Sequence, residues 1–224
     1  MSVISSNVDS STLVTLPTRA GELCVRDAIA EDVDAFVSYW HESGDTHLQF
    51  LGIDRAKLGT VEDTRTRFLE MRRQGPDQAS IAFTITLNGV VIGYTNINRY
   101  GPNDNYPHLH TYRSSVKAAA QFAEPVKPDN RAGVAGALIG SILEMHFRLF
   151  PIRRLVLQTR TRNKRINRAL DLYLPVAETR HFDNPDGVAG PGEFHVRYAS
   201  NDDAHWLLAR SQSLANGAES NERD

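Results

Sequence analysis

The sequence is short of cysteine, of net charge and of long apolar runs, and each shortage excludes a class of protein. A single cysteine, Cys24, excludes an internal disulfide and a zinc site built from cysteines. The net charge of −2 gives no general reason to expect a nucleic-acid partner. No apolar stretch approaches the roughly 20 residues that cross a bilayer, and no basic residue precedes Arg19. We therefore expect a cytoplasmic protein without a membrane or nucleic-acid partner.

The remaining composition is typical of a folded domain. Hydrophobic residues make up 41% and charged residues 23% of the 224 residues, which is enough apolar material for a sizeable core. The first 20 residues are rich in serine and threonine, and the last residues are polar. We therefore predict a flexible arm over 1–20, one domain over 21–210 and a flexible tail over 211–224.

Alternation and helical periodicity predict the elements of this domain. Thr60 and Asp63 have the spacing of a reciprocal helix cap, and Asn88-Gly89 between two alternating stretches is typical of a hairpin turn. Strands are predicted over 22–26, 80–87, 90–99, 108–113, 154–159, 178–182 and 193–198, and helices over 31–42, 61–74, 134–150 and 163–174. The fold class is therefore α/β in the mixed α+β sense, with a mostly antiparallel mixed sheet of about six to seven strands flanked by about four helices.

Small residues cluster where the predicted 134–150 helix begins. Gly133 and Gly136 stand in this segment, and the helix that follows is apolar. Glycine lets a backbone approach a ligand closely, and a helix N-terminus offers unpaired N–H groups to an anion. The residues alone leave two interpretations open, a diphosphate-binding loop or close packing between helices.

This segment and the order of elements resemble the GNAT superfamily of acyl-CoA-dependent N-acyltransferases over residues 22–200. The family's phosphate loop reads Gln/Arg-x-x-Gly-x-Gly/Ala. Gly133 and Ala135 match its last two fixed positions, whereas Asn130 stands in place of Gln or Arg. The resemblance implies a GNAT-like fold, with acetyl-CoA or another acyl-CoA as co-substrate and no metal. It places the following residues at the coenzyme: Arg131, Ala132, Gly133, Val134, Ala135, Gly136 and Ala137.

The resemblance also extends to the chain after the fifth predicted strand. Asn163 resembles a family asparagine that bonds the pantetheine arm, and asparagine is also a favoured helix N-cap. The family often has a tyrosine as general acid where this sequence has Leu170. Tyr173 is the nearest tyrosine, and its place on an apolar stripe with Leu170 and Leu174 favours packing over proton donation, with both roles left open.

His108 and His110 lie two residues apart on a predicted strand. Alternate residues share one face, so both imidazoles are expected to project together, with Tyr112 below them. Neutral histidine accepts a proton near pH 7, and in the family the corresponding strand faces the transfer site and often carries the base. A base or substrate contact, a structural role and a metal pair all stay open, although no third ligand stands near.

The resemblance implies two further segments as walls of the acceptor pocket. His41 and Glu42 end the first predicted helix and are candidate substrate contacts together with Tyr112. The loop over 183–192 is rich in glycine and proline. A basic run without an acid spans 148–168 and offers an attractive surface to coenzyme phosphates or to an acidic acyl-carrier protein.

The resulting prediction is a GNAT-type N-acetyltransferase that moves an acetyl or other acyl group from coenzyme A to a primary amine of a small molecule. His110 or His108 would accept the proton of the amine, and Tyr173 or water would protonate the departing thiolate. The alternatives are an acyl-carrier protein as donor, or a non-catalytic CoA-binding module. The acceptor and the oligomeric state stay open, a dimer included.

Overall fold

The structure is a computed structural model that describes residues 12–18, 20–73, 80–112, 131–183 and 188–215. These residues form eight strands and six helices. The strands are β1 (Thr12–Thr18), β2 (Gly21–Asp27), β3 (Ser80–Leu87), β4 (Val90–Arg99), β5 (Asn105–Thr111), β6 (Leu155–Arg160), β7 (Glu178–Phe182) and β8 (Gly192–Ala199). The helices are α1 (Val33–His41), α2 (Asp45–Leu51), α3 (Val61–Arg73), α4 (Arg131–Leu149), α5 (Lys164–Asp171) and α6 (Asn201–Ala215).

The strands form two antiparallel sheets, one in the order β1-β2-β3-β4-β5 and one in the order β6-β8-β7. Strands β5 and β6 are joined where they begin. Asn105 Nδ2 donates to the Arg154 carbonyl at 3.0 Å, and the Arg153 N–H donates to the Pro102 carbonyl at 2.7 Å. Among the described residues no ladder links β5 to β6. We call the gap between these two strands, beyond the junction, the cleft.

One face of the first sheet carries the larger core. Ile81, Phe83 and Ile85 of β3 pack against buried side chains of α4, and α6 packs on α4. Burial of each such side chain contributes about 1.5–3 kcal/mol. At Gly140 of α4 an added Cβ would lie 2.8 Å from the amide nitrogen of Leu208 in α6. The close approach of the two helices therefore requires glycine at this position.

The opposite face packs α1 and α3 through aromatic side chains. The Phe36 ring lies 5.2 Å from the Phe68 ring and 4.9 Å from the Tyr94 ring, measured between centroids. Trp40 is buried and donates its Nε1–H to the Tyr94 hydroxyl at 2.8 Å. These contacts fix the aromatic residues that lie against β4 and β5.

Several local predictions are confirmed. Strands β3, β4 and β7 have the predicted bounds, and Asn88 and Gly89 turn the hairpin with φ angles of +52° and +77°. The Thr60 hydroxyl accepts from the Asp63 amide at 3.1 Å, and the Asp63 carboxylate accepts from the Thr60 amide at 2.9 Å. The predicted mixed α/β fold is confirmed as well.

Other predictions about the elements are wrong. Residues Thr12–Thr18, expected to be part of a flexible arm, form β1 and pair with β2, which makes eight strands instead of six to seven. Helix α2 (Asp45–Leu51) was not predicted, and α4 begins at Arg131 rather than at residue 134. Helix α6 contributes to the core and continues through Ala215 into the predicted tail. Residues 1–11 of the predicted arm lie outside the described residues. Residues 114–128, which the sequence leaves open between a short helix and an extended connector, lie outside them as well.

None of the helices in the ranges given above is long and apolar enough to cross a bilayer.

Candidate active site

Strand β5 carries two histidines on the face that α1 covers. Its register pairs His110 with Tyr94 and His108 with Asn96 of β4, so these four side chains share one face. The His110 ring lies 4.8 Å from the Trp40 ring and 4.9 Å from the Tyr94 ring. The register therefore places both histidines on one face, as the alternation predicts.

Three tyrosines surround His110. Tyr39 of α1 lies 6.3 Å from His110 between ring centroids and stacks on Tyr112 at 4.3 Å. Burial raises the pKa of Tyr39 to about 12, and it raises the pKa values of Tyr94 and Tyr112 well above the ordinary value. The Tyr112 hydroxyl is buried and has no hydrogen-bond partner in the described part of the chain. All three hydroxyls therefore stay protonated at neutral pH.

The two histidines differ in their access to solvent. Burial, with a smaller contribution from His108, lowers the pKa of His110 to about 3. Burial by the surrounding protein lowers the pKa of His108 to about 4, although its side chain keeps an exposed surface. We therefore expect a smaller pKa shift at His108 than at His110. Its Nε2 lies 3.3 Å from Asn98 Nδ2, an amide donor, which marks Nε2 as an acceptor. Both imidazoles are therefore neutral at pH 7, and His108 is the better placed to exchange protons with water.

The predicted substrate contacts at the end of α1 do not join this cluster. His41 Nε2 lies 2.9 Å from Thr64 Oγ1, so His41 ties α1 to α3. Glu42 is exposed at the C-terminal end of α1. Within the described ranges no hydrogen bond or ring contact joins either residue to β5. Of the three candidates for substrate binding, only Tyr112 lies in the aromatic cluster around His110.

The predicted coenzyme-binding residues lie in the first two turns of α4. The backbone of Arg131 through Ala137 is helical rather than a loop. The first four N–H groups of an α-helix lack a partner within the helix. The amides of Arg131 through Gly133 are therefore not used by hydrogen bonds within the helix, whereas those of Ala135 through Ala137 are. A close-packing glycine is observed further along α4, at Gly140.

Two residues beside β6 had two predicted roles each. Asn163 stands at the N-cap of α5, but its side chain makes no capping hydrogen bond, which leaves the half-buried amide available to a ligand. Tyr173 is buried and meets Trp206 of α6 edge to face at 5.9 Å. This position accords with the packing role of Tyr173.

Sequence reasoning missed Tyr39, Tyr94 and Arg160. Alternation along β4 could have indicated Tyr94, because the β4–β5 register pairs it with His110 on the same face. Tyr39 precedes the predicted core residue Trp40 on α1, and its approach to β5 is a tertiary contact. Arg160 is buried at the end of β6, whereas in the sequence it is only one member of the basic run over 148–168. Among the described residues no three metal-ligating side chains come together.

Comparison with known proteins bears on the fold. No protein-family model and no curated protein matches the sequence. RimJ of Mycobacterium smegmatis, solved in complex with CoA-disulfide, superposes with a TM-score of 0.62 at 17% identity, over 89% of this chain and 94% of its own. The ribosomal-protein-S5-alanine acetyltransferase of Vibrio fischeri gives 0.61 at 14% identity, over 85% and 98%. The microcin C7 self-immunity acetyltransferase MccE, solved with acetyl-CoA and AMP, gives 0.54 at 10% identity, over 80% and 92%.

The chain therefore has the mixed α/β fold of the GNAT acetyltransferases, and the predicted resemblance is confirmed at the level of the fold. Two of the three similar structures are named as acetyltransferases, and two were solved with CoA-disulfide or acetyl-CoA.

Proposed function

We propose that the protein is an N-acyltransferase that moves an acetyl or other acyl group from coenzyme A to a primary amine of a small molecule. The observation that carries this proposal is the cleft of a GNAT fold with two neutral histidines on the strand that borders it. The similar structures with CoA species support the donor. The cytoplasmic location predicted from the sequence belongs to the same proposal.

The residues present fit an acyl-CoA in their chemistry. The N–H groups of Arg131 through Gly133 at the start of α4 suit a diphosphate, and the amide of Asn163, which makes no capping hydrogen bond, suits the pantetheine arm. When bound, acyl-CoA supplies the thioester that is attacked. In the part of the chain that the structure describes, β5 has a hydrogen-bonded ladder on one side only, so its other edge offers N–H groups to a developing oxyanion.

The amine must lose one proton as its nitrogen bonds to the thioester carbon and the carbon–sulfur bond breaks. His108 is the preferred acceptor of this proton, directly or through water, because its side chain is exposed and the Asn98 amide, 3.3 Å from its Nε2, can turn aside to free that nitrogen. His110 is half-buried and its pKa is lowered further, to about 3, so we assign it the role of orienting the amine. The thiolate takes its proton from water, from the amine or from the unpartnered hydroxyl of Tyr112.

A thiol-release assay tests the proposal. The wild-type protein is incubated with acetyl-CoA and a panel of spermidine, 2-phenylethylamine, an amino-acid amide and a short peptide with a free N-terminal amine. The peptide is included because one similar structure is a ribosomal-protein acetyltransferase. We expect amine-dependent thiol release and an acetylated product in the mass spectrum. Binding of acetyl-CoA without thiol release from any amine would contradict transfer from coenzyme A to amines of this kind and leave the acyl-carrier-protein donor and the non-catalytic CoA-binding module as alternatives.

An acyl-carrier protein is a second candidate donor, favoured by one observation. Four exposed cations flank Asn163 on and before α5, and none forms an ion pair within the described ranges: Arg162, Lys164, Arg165 and Arg168. Such a surface attracts an acidic carrier that presents the same phosphopantetheine arm. Turnover of acetyl-CoA compared with acetyl-carrier protein, at equal concentration and at two salt concentrations, separates the two donors.

A further inference from the structure

Arg160 connects three parts of the chain that are far apart in sequence. It ends β6, is 7% exposed and donates from Nη1 to the Pro191 carbonyl at 2.7 Å and from Nη2 to the Gly52 carbonyl at 3.0 Å. The same Nη2 also donates to the Gly190 carbonyl. The guanidinium lies over the Phe194 ring, 4.2 Å from its centroid. One buried cation thus satisfies three main-chain acceptors from two segments.

Two glycines border this guanidinium at positions where a Cβ atom would collide with it. An added Cβ at Gly52 would lie 2.1 Å from Arg160 Nε, and one at Gly192 would lie 2.1 Å from Nη1. At Gly190, in contrast, the nearest atom to an added Cβ is 3.6 Å away, which is ordinary contact. Glycine is therefore required at the two positions that touch the side chain and not at the third.

The two segments held by Arg160 are also bonded to each other. The Gly190 N–H donates to the Gly52 carbonyl and the Asp54 N–H to the Val188 carbonyl, both at 2.9 Å, and residues 53 and 189 form an isolated bridge. Lys57 Nζ donates to the Ala189 carbonyl at 3.0 Å. We call residues 52–54 together with 188–191 the tied wall. Its two segments lie more than 100 residues apart in the chain, so these hydrogen bonds hold them together.

A continuous series of contacts leads from the tied wall to the histidines. Helix α2 ends directly before Gly52, and its His47 Nε2 lies 3.1 Å from the Tyr39 hydroxyl. Tyr39 in turn approaches His110 on β5. Arg160 stands at the end of β6 and His110 near the end of β5, so these contacts through α2 and Tyr39 connect the ends of the two strands that border the cleft, away from the junction at Asn105.

We propose that Arg160 is a positioning residue that sets the acceptor side of the cleft by holding the tied wall and α2 against the end of β6. This inference rests on the proposed function, because the amine must reach the thioester beside His108 past α2. Lysine cannot replace arginine here, since a single ammonium does not present the planar fork that serves carbonyls in three directions. Loss of the tie displaces the acceptor and leaves the coenzyme contacts at α4 and Asn163 in place.

The first test compares Arg160→Lys with Arg148→Lys. Arg148 is a matched control, since it also donates to a distant carbonyl, that of Leu13, but lies at the end of α4. With the best amine of the panel, Arg160→Lys should raise the acceptor KM by about tenfold to a hundredfold, as misplacement of a reactant does. The dissociation constant of acetyl-CoA should stay within about twofold, and Arg148→Lys should change neither.

The second test uses Gly192→Ala against Gly190→Ala, which leaves Arg160 itself intact. Only the first methyl group enters the space of the guanidinium, so only Gly192→Ala should raise the acceptor KM. Gly192 also has a φ of +143°, so Gly101→Ala, with a φ of +159° and no atom within 4 Å of the added Cβ, is the control for backbone strain. Hydrogen exchange of the Asp54 and Gly190 amides should accelerate in Gly192→Ala and in Arg160→Lys, but not at β3 amides.

The outcomes separate this inference from the proposed function. Wild-type turnover with an unchanged acceptor KM in Arg160→Lys and Gly192→Ala overturns the role of Arg160 and leaves the function standing. An equal loss of coenzyme affinity and acceptor affinity, with a lower melting temperature, shows a general structural role and also overturns it. Absence of turnover in the wild-type protein overturns the function itself.

Discussion

The two faces of the first sheet each bury a histidine in aromatic surroundings, with different consequences. His146 of α4 has no exposed surface and lies 6.0 Å from Phe83 and 6.3 Å from Phe150 between ring centroids. Neither of its ring nitrogens has a hydrogen-bond partner among the described residues. His110 lies on the other face, on the strand that borders the cleft, two residues from an exposed imidazole.

Burial lowers the pKa of both histidines to about 3. The shift alone therefore does not distinguish a core histidine from one beside a candidate site. The two histidines differ in position. His110 lies on β5, which has no neighbouring strand on its cleft side among the described residues, whereas the His146 side chain is enclosed between its own helix and Phe83 of β3. A shifted pKa acquires functional meaning only together with access for a substrate.

The largest expected effect is on turnover. His108→Gln should lower kcat near neutral pH by about a hundredfold, because a positioned base contributes about 10²–10⁴. His110→Gln should have the smaller effect, since His110 only orients the amine. Calorimetric binding of acetyl-CoA should be unchanged in both. His146→Leu, on the opposite face, is the control that keeps wild-type turnover. Equal activity of His108→Gln and the wild type removes His108 from the mechanism.

A second prediction concerns the packing of the helical face. Gly140→Ala places a methyl group 2.8 Å from the main chain of α6, which cannot move aside as a side chain would. We expect a loss of about 2 kcal/mol in the free energy of unfolding, more than the helix propensity that alanine adds. Urea denaturation measures it. Gly44→Ala, where no atom lies within 4 Å of an added Cβ, should change stability little. A neutral Gly140→Ala would show that α4 and α6 pack less closely.

The pH dependence of stability provides a third test. The lowered pKa values mean that, between about pH 6.5 and pH 3, the unfolded chain binds protons that the folded chain does not. Stability is therefore greatest above pH 6.5 and falls on acidification, by up to about 1.4 kcal/mol per pH unit for each buried histidine.

His146→Leu should remove the part of this pH dependence of stability that His146 contributes, on the face of the first sheet that packs against α4. It should also raise stability at pH 7 by about 1 kcal/mol, because leucine leaves no unpaired polar atom. Denaturation at a series of pH values measures both effects. The exposed His205→Leu is the matched control for loss of an imidazole. An unchanged slope in His146→Leu would mean that His146 is paired or hydrated in solution.

The last comparison contrasts two tyrosines of the aromatic face, and the smallest effect of all is expected at Tyr112. The Tyr94 hydroxyl accepts the Trp40 Nε1–H, so Tyr94→Phe should cost about 1–3 kcal/mol by leaving that donor unpaired. The Tyr112 hydroxyl has no partner in the described residues, so Tyr112→Phe should be neutral or stabilise by up to about 1 kcal/mol. Thermal unfolding measures both. If Tyr112→Phe destabilised as much as Tyr94→Phe, the Tyr112 hydroxyl would have to be paired in solution.

Local signals in the sequence were sufficient for much of this fold. The Asn88-Gly89 turn and the Thr60–Asp63 cap act over a few residues, and both are observed. Alternation placed His108 and His110 on one face for the same reason. The serine and threonine content of the first 20 residues concealed β1, although Leu13, Val14 and Leu16 lie within it and its pairing with β2 uses the main chain.

The features that sequence could not provide depend on contacts between distant residues. Arg160 meets Gly52 over a separation of 108 residues, and a basic run gives no sign that one of its members is buried. The approach of Tyr39 to His110 depends on how α1 lies across β5. Helix α2 has seven residues and is among the shortest helices described. No helix is predicted from the sequence between residues 42 and 61.

Strand β1 has a practical consequence for anyone who would shorten the chain. It pairs along β2 from Thr12 to Thr18 and buries Leu16, which is 4% exposed, beside Leu23. Deletion of the first 20 residues would leave the main-chain groups of β2 unpaired along a whole strand and open an apolar stripe beside them. Such an uncovered border invites strand addition from a second molecule, so a trimmed protein should be prone to aggregation.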